Sequence, residues 1–257
     1  MARRLCTANV YPDGLDAFVA CRLIPLNKNP GVRPIGIGEV PRRIIAKVVL
    51  KIVSDDVQAA AGPLQTCAGH EAGCEAAVHA MREIFTFDDT EAILLVDASN
   101  AFNAVNRQAA LHNIQVICPA ISTILSNTYQ VPIKLFIVGE GEIDSSEGTT
   151  QGDPLAMAMY ALAIRPLIDK LRDAEPNVRQ VWFADDATAA GRLATLCQWW
   201  QLISTIGPDF GYNPNASKTH LVVKPELISK AKRIFQNTDV QTSTNGQRHL
   251  GAAIGTL

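Results

Sequence analysis

Two strand-like runs, Val181-Trp182-Phe183-Ala184 and Ala187-Thr188-Ala189-Ala190-Gly191, are separated only by Asp185-Asp186. So short a connection permits an antiparallel hairpin and nothing else, with two carboxylates at its tip. A second apolar run, Ala92-Ile93-Leu94-Leu95-Val96, ends as abruptly in Asp97. Buried strands that terminate in acids deliver charge to one edge of a sheet. Three ionised carboxylates gathered there repel and raise one another's pKa, so they persist together only where divalent cations neutralise them. The other doublets, Asp55-Asp56 and Asp88-Asp89, lie among polar or helix-compatible residues and read as solvated surface.

A chain of 257 residues can form one large domain or two packed subdomains, and 19% charged residues against 47% hydrophobic ones fits a globular core. No apolar run reaches the roughly 18–20 residues of a membrane-spanning helix, and the first residues lead into no signal-peptide core. The default expectation is an intracellular protein, with nucleus and cytoplasm undistinguished. The six cysteines are scattered without a Cys-x-x-Cys, which argues against a disulfide framework. Cys67, His70, Cys74 and His79 have spacings that superficially suit zinc. Residues 71–81, however, read as an amphipathic helix burying Cys74, Val78 and Met81, and a buried cysteine is usually a small hydrophobe.

The net charge of −2 hides a strong polarity along the chain. Residues 22–51 carry Arg22, Lys28, Arg33, Arg42, Arg43, Lys47 and Lys51 against Glu39 alone, whereas Glu140, Glu142, Asp144, Glu147 and Asp153 form a stretch without Lys or Arg. In the basic segment Pro25, Pro30, Pro34 and Pro41, with Gly31, Gly36 and Gly38, favour short extended pieces. Beyond it Ile44, Ile45, Val48, Val49 and Ile52 predict a helix over 42–53. Further helices are predicted over 71–84, 102–114, 154–171, 193–206 and 225–235, strands at 133–138, 220–223 and 249–254, and a loop over 139–148. An antiparallel hairpin among alternating helices and strands implies an α+β layer with helices on one face of the sheet.

In this order of motifs the sequence resembles the reverse transcriptases, especially those of retroelements. Asp97-Ala98-Ser99-Asn100-Ala101-Phe102-Asn103 looks like the first palm motif, Gln151-Gly152-Asp153-Pro154 like the second and Phe183-Ala184-Asp185-Asp186 like the third. Lys218-Thr219 is similar to the fourth and His249-Leu250-Gly251 to the fifth. The resemblance implies a fingers–palm polymerase fold whose antiparallel palm sheet is backed by helices. It implies fingers at 1–90 and 119–147 and palm at 91–118 and 148–257, with the chain stopping before the helical thumb. It further implies that Asp97, Asp185 and Asp186 hold two Mg²⁺ ions, with Mn²⁺ as an alternative, and that Lys218 is a general acid for pyrophosphate.

By the same resemblance Lys28 and Arg33 clamp the triphosphate, and Phe102 stands against the sugar C2′ and excludes a 2′-hydroxyl. Gln151 and Gly152 approach nucleotide and template, and Leu250 and Gly251 lie against the primer. Asn103 replaces a commoner aspartate and Phe183 a commoner tyrosine. The implied reaction is RNA-directed DNA synthesis from dNTPs on a primed RNA or DNA template, with no membrane involved. Two rival readings are an RNA-directed RNA polymerase, against which Phe102 argues, and a catalytically silent nucleic-acid-binding relic.

Overall fold

A computed structural model describes residues 1–29, 31–139 and 141–255; Pro30 and Glu140, counted in the basic and acidic segments above, and the last two residues lie outside the described residues. The chain forms two compact units, one from Met1–Ala60 and Phe102–Ile164, the other from Ala61–Ala101 and Arg165–Leu257.

The first unit is built on a four-stranded sheet ordered Val32–Gly38, Cys21–Asn27, Ile133–Ile137, Gly141–Ser145. The first two strands form an antiparallel hairpin in which Pro25 stands opposite Pro34. Only Cys21–Leu23 pairs onward with Leu135–Ile137, so both prolines sit where a missing N–H is least costly. The Gly141–Ser145 strand falls where a loop was predicted. It is an edge strand exposed over nearly its whole length, so no alternation of apolar and polar residues betrays it.

Helix Arg107–Ile117 packs on Pro119–Tyr129 and Ala156–Ala163. The helix predicted over 102–114 is broken: Asn106 caps a new start by accepting from the Ala109 N–H at 2.9 Å. The helix predicted over 154–171 is likewise two, Ala156–Ala163 and Arg165–Ala174, because Pro166 has no N–H to offer the preceding turn. One of the places where the chain passes from one unit to the other falls at that break.

Helix Val40–Ile52 is present but turned from the predicted face. Arg42, Ala46 and Val49 are its buried residues, whereas Ile44, Val48 and Ile52 are exposed. A charged side chain holds the inner face because Arg42 meets a buried partner, described below.

The second unit centres on a five-stranded sheet ordered Arg179–Phe183, Asp186–Gly191, Ala92–Val96, His220–Val223, Gln241–Ser243, antiparallel except for its last pair. One face packs Ile93, Leu95, Val181 and Val222 against Ala77 and Met81 of helix Gly73–Thr86. On the other face Trp182 meets Trp199 of helix Leu193–Ile206 with ring centroids 6.4 Å apart. Helices therefore cover both faces where one was predicted. The unbroken burial of Ala92–Val96 has the same cause, since a strand covered on both sides needs no polar face.

In helix Gly73–Thr86, Val78 and Met81 are buried as predicted, but Cys74 is only half-buried and His79 is exposed. All six cysteines are free thiols. Among the described residues no helix is long and apolar enough to cross a membrane.

Candidate active site

Strand register brings the acids of the second unit together. Val96 pairs with Ala187, and continuing that antiparallel ladder by one residue sets Asp97 opposite Asp186. Phe183 pairs with Asp186, which leaves Ala184 and Asp185 as the two tip residues. Burial first, then the charges of Asp185 and Asp97, raises the Asp186 pKa to about 7. A cation among the three would reverse that cost, and hard carboxylate oxygens are the donors Mg²⁺ and Mn²⁺ prefer. Among the described residues no three acids, histidines or cysteines form a ready-made metal cage. Mg²⁺ characteristically binds through one or two carboxylates together with substrate phosphates.

The tip itself is strained. Ala184 adopts φ 55°, a left-handed conformation that costs a non-glycine residue about 1–2 kcal/mol. Gln65, fully buried, accepts from the Ala184 N–H at 2.9 Å and donates to the Ala184 carbonyl at 3.1 Å. Tyr212, also fully buried, donates its hydroxyl to the Asp185 carbonyl at 2.9 Å. Neither residue stood out in the sequence. Gln65 lies in a turn-like Gly62-Pro63-Leu64 context, and Tyr212 in a loop after a helix, with no spacing that links them to residue 184.

The backbone beyond Asp97 is held by the 213–218 segment: Asn215 N–H donates to the Asp97 carbonyl at 2.8 Å and Ser99 N–H to the Asn213 carbonyl at 2.8 Å. Lys218 follows in a short 3₁₀ turn, its Nζ 3.7 Å from Asp97 Oδ2. A cavity of about 570 Å³ is lined by Asp97, Asp186, Lys218, His220, Arg248 and Leu250.

Leu250 and Gly251 form a two-residue hairpin turn between strands Gln247–His249 and Ala252–Ile254, with φ of 48° and 83°. Space around Gly251 is open, so its glycine serves the turn conformation. Leu250 packs partly against the sheet core.

His249 Nε2 lies 2.8 Å from the Thr188 hydroxyl, and burial lowers its pKa to about 4. The unfolded chain takes up this proton first, near pH 6.5, so stability is full above 6.5 and falls as pH drops towards 4. Urea unfolding of the wild type from pH 7.5 to 4 is expected to lose about 2–3 kcal/mol more than His249→Gln does. Parallel pH profiles would contradict it.

In the first unit Lys28 and Arg33 are exposed near the tip of the Cys21–Asn27/Val32–Gly38 hairpin, where the Lys28 N–H donates to the Gly31 carbonyl at 3.0 Å. Phe102 is half-buried and stacks on the fully buried Tyr160, ring centroids 4.4 Å apart and planes 20° from parallel. Gly152 has φ 104°, and a Cβ there would lie 2.7 Å from the Gly36 carbonyl oxygen, so only glycine allows this loop to close on the hairpin. Gln151 completes the contact by accepting from the Gly36 N–H at 2.7 Å.

Asp153 is buried, ion-paired to Arg42 and hydrogen-bonded to the Tyr129 hydroxyl at 2.7 Å. Arg107 anchors the same loop from the other side, donating to the carbonyls of Ser145, Glu147 and Gly148. These buried arginines were invisible to a count of charges. A cavity of about 320 Å³ in this unit is lined by Pro34, Gly36, Asn103, Glu147, Thr150 and Gln151.

A family model described as "Reverse transcriptase (RNA-dependent DNA polymerase)" matches residues 26–248. Among solved structures, apo telomerase from Candida tropicalis superimposes with a TM-score of 0.64 at 12% identity, covering 96% of this chain and 48% of that one. Telomerase from Candida albicans, solved with a TWJ fragment of telomeric RNA, gives 0.60 at 11% identity, covering 80% and 43%. The chain thus spans about half the length of these structures, and at such identities the likeness is one of fold. No curated protein matches the chain.

Proposed function

Because the chain belongs to the reverse transcriptase family, we propose that it carries the catalytic centre of an RNA-directed DNA polymerase, adding dNTPs to a primer 3′-hydroxyl. The convergence of Asp97, Asp185 and Asp186 on one edge of the sheet supports this most strongly, since burial and then the neighbouring charges disfavour an ionised Asp186, a cost that a bound cation would offset. Two Mg²⁺ ions, when bound, would activate the hydroxyl and neutralise the triphosphate. Asp97 and Asp185 would hold them, with Asp186 more peripheral.

Lys218, beside Asp97, is assigned as proton donor to the departing pyrophosphate. Leu250 and Gly251 are assigned to the primer. In the first unit Lys28 and Arg33 are assigned to the triphosphate, Arg33 able to grip phosphate oxygens in pairs and Lys28 as a point charge. Gln151 and Gly152 are assigned to nucleotide and template. The fingers (1–90, 119–147) and palm (91–118, 148–257) division, and an origin in a retroelement, belong to the same proposal.

Phe102 is the sugar-selecting residue of this reading, its ring fixed by Tyr160. Phe102→Val is expected to reduce discrimination against NTPs by about 10- to 100-fold, on the scale of a few methylenes lost from a sterically fitted pocket. The test is primer extension on an RNA template with dNTPs and NTPs in parallel. Preferential dNTP incorporation is expected. Preference for NTPs would make the protein an RNA polymerase, and nucleic-acid binding without extension would make it a silent relic.

A further inference from the structure

We infer that Gln65 and Tyr212 are positioning residues that clamp the Ala184-Asp185 turn, and so hold the Asp185 and Asp186 carboxylates in the arrangement that binds a divalent cation. The inference deepens the function proposed above and rests on it.

Alanine has no preference for the φ of 55° seen at residue 184, so the turn is not held by its own residues. Something outside the hairpin must hold it. The Gln65 side-chain amide meets the Ala184 peptide as a neighbouring strand would, accepting from its N–H and donating to its carbonyl. Its oxygen also accepts from the Cys67 N–H at 3.4 Å.

Gln65 is itself anchored. The Thr66 N–H donates to the Trp182 carbonyl at 2.8 Å and the Trp182 N–H to the Leu64 carbonyl at 2.7 Å, so residues 64–66 run along the outer edge of the Arg179–Phe183 strand. From elsewhere Tyr212 fixes the next carbonyl, that of Asp185. Its ring stands edge-on to Trp182 at 5.2 Å, a contact that survives removal of the hydroxyl. Three hydrogen bonds thus converge on the backbone of the two tip residues, and both side chains that supply them are fully buried.

The test compares the full chain with Gln65→Leu, Tyr212→Phe and the double variant Gln65→Leu/Ala184→Gly, and reads Mn²⁺ affinity by electron paramagnetic resonance, with Asp185→Asn as control. Each single variant is expected to weaken Mn²⁺ binding by about 10-fold, the scale of loss for groups that orient metal ligands. Ala184→Gly is expected to restore most of the loss caused by Gln65→Leu, because glycine adopts a positive φ without a clamp. A merely structural role would lower the melting temperature and leave Mn²⁺ affinity unchanged.

Unchanged affinity in both folded single variants overturns the inference, as does a wild type that binds no Mn²⁺ through Asp185. Should Gln65→Leu fail to fold, Tyr212→Phe, which loses one oxygen, decides alone. The readout needs no polymerisation: a wild type that binds Mn²⁺ yet extends no primer refutes the proposed function, and the variants still decide the clamp.

Discussion

Asp185→Asn is expected to lower primer extension on the order of 10³-fold or more, equivalent to about 4 kcal/mol of transition-state stabilisation. The substitution keeps the shape of the side chain and removes its charge. Asp185 occupies the hairpin tip, and its backbone is held by Tyr212 regardless of what the carboxylate does. The same change relieves Asp186 of a neighbouring negative charge that now raises its pKa, so thermal stability in the absence of metal should hold or rise. Activity and stability therefore move apart, the signature of a residue retained for chemistry. Steady-state extension beside calorimetric melting checks both halves, and equal extension by the two proteins would remove Asp185 from the reaction.

Asp153→Ala should have the largest effect on stability. It strands the Arg42 guanidinium, 3% exposed, without its counter-charge, and deprives the Tyr129 hydroxyl and the Leu155 N–H of an acceptor. Breaking a buried ion pair from one side costs about 3–5 kcal/mol, a large part of a domain's stability. Replacing both partners, as in Arg42→Met/Asp153→Leu, should recover part of that loss because no charge is left buried. Urea denaturation measures this directly, and a single variant within about 1 kcal/mol of the wild type would show that the pair is not the anchor described. Since the same loop carries Gln151 and Gly152, partial unfolding there should also weaken nucleotide binding in the proposed reaction.

What was legible in the sequence was whatever a short window contains. The tip at Asp185, the apolar strand before Asp97, helix Leu193–Ile206 and strand His220–Val223 all announce themselves through continuous or periodic burial with a local stop signal. The meeting of Asp97 with Asp186 was anticipated only because buried like charges need a common reason to coexist; the register that accomplishes it is a property of the sheet. The clamp was not legible, since Gln65 and Ala184 are 119 residues apart and one hydrogen-bonded amide leaves no periodic trace.

Arg42 and Asp153 misled in a different way. Each was counted with its neighbours as part of a run of like charge, yet each is buried on the other, 111 residues away. With Arg42 turned inward, the apolar row Ile44, Val48 and Ile52 turned out. The edge strand Gly141–Ser145 carries no alternation because water, not a core, lies against most of it.

In the proposed reaction Asp97 and Asp185 jointly grip a catalytic cation. Anomalous diffraction from crystals of the chain grown with primer–template, dNTP and Mn²⁺ tests it most directly. A manganese peak is expected about 2.1 Å from a carboxylate oxygen of both residues. A peak bound elsewhere, or both carboxylates ordered with nucleotide in place and no metal between them, would contradict it.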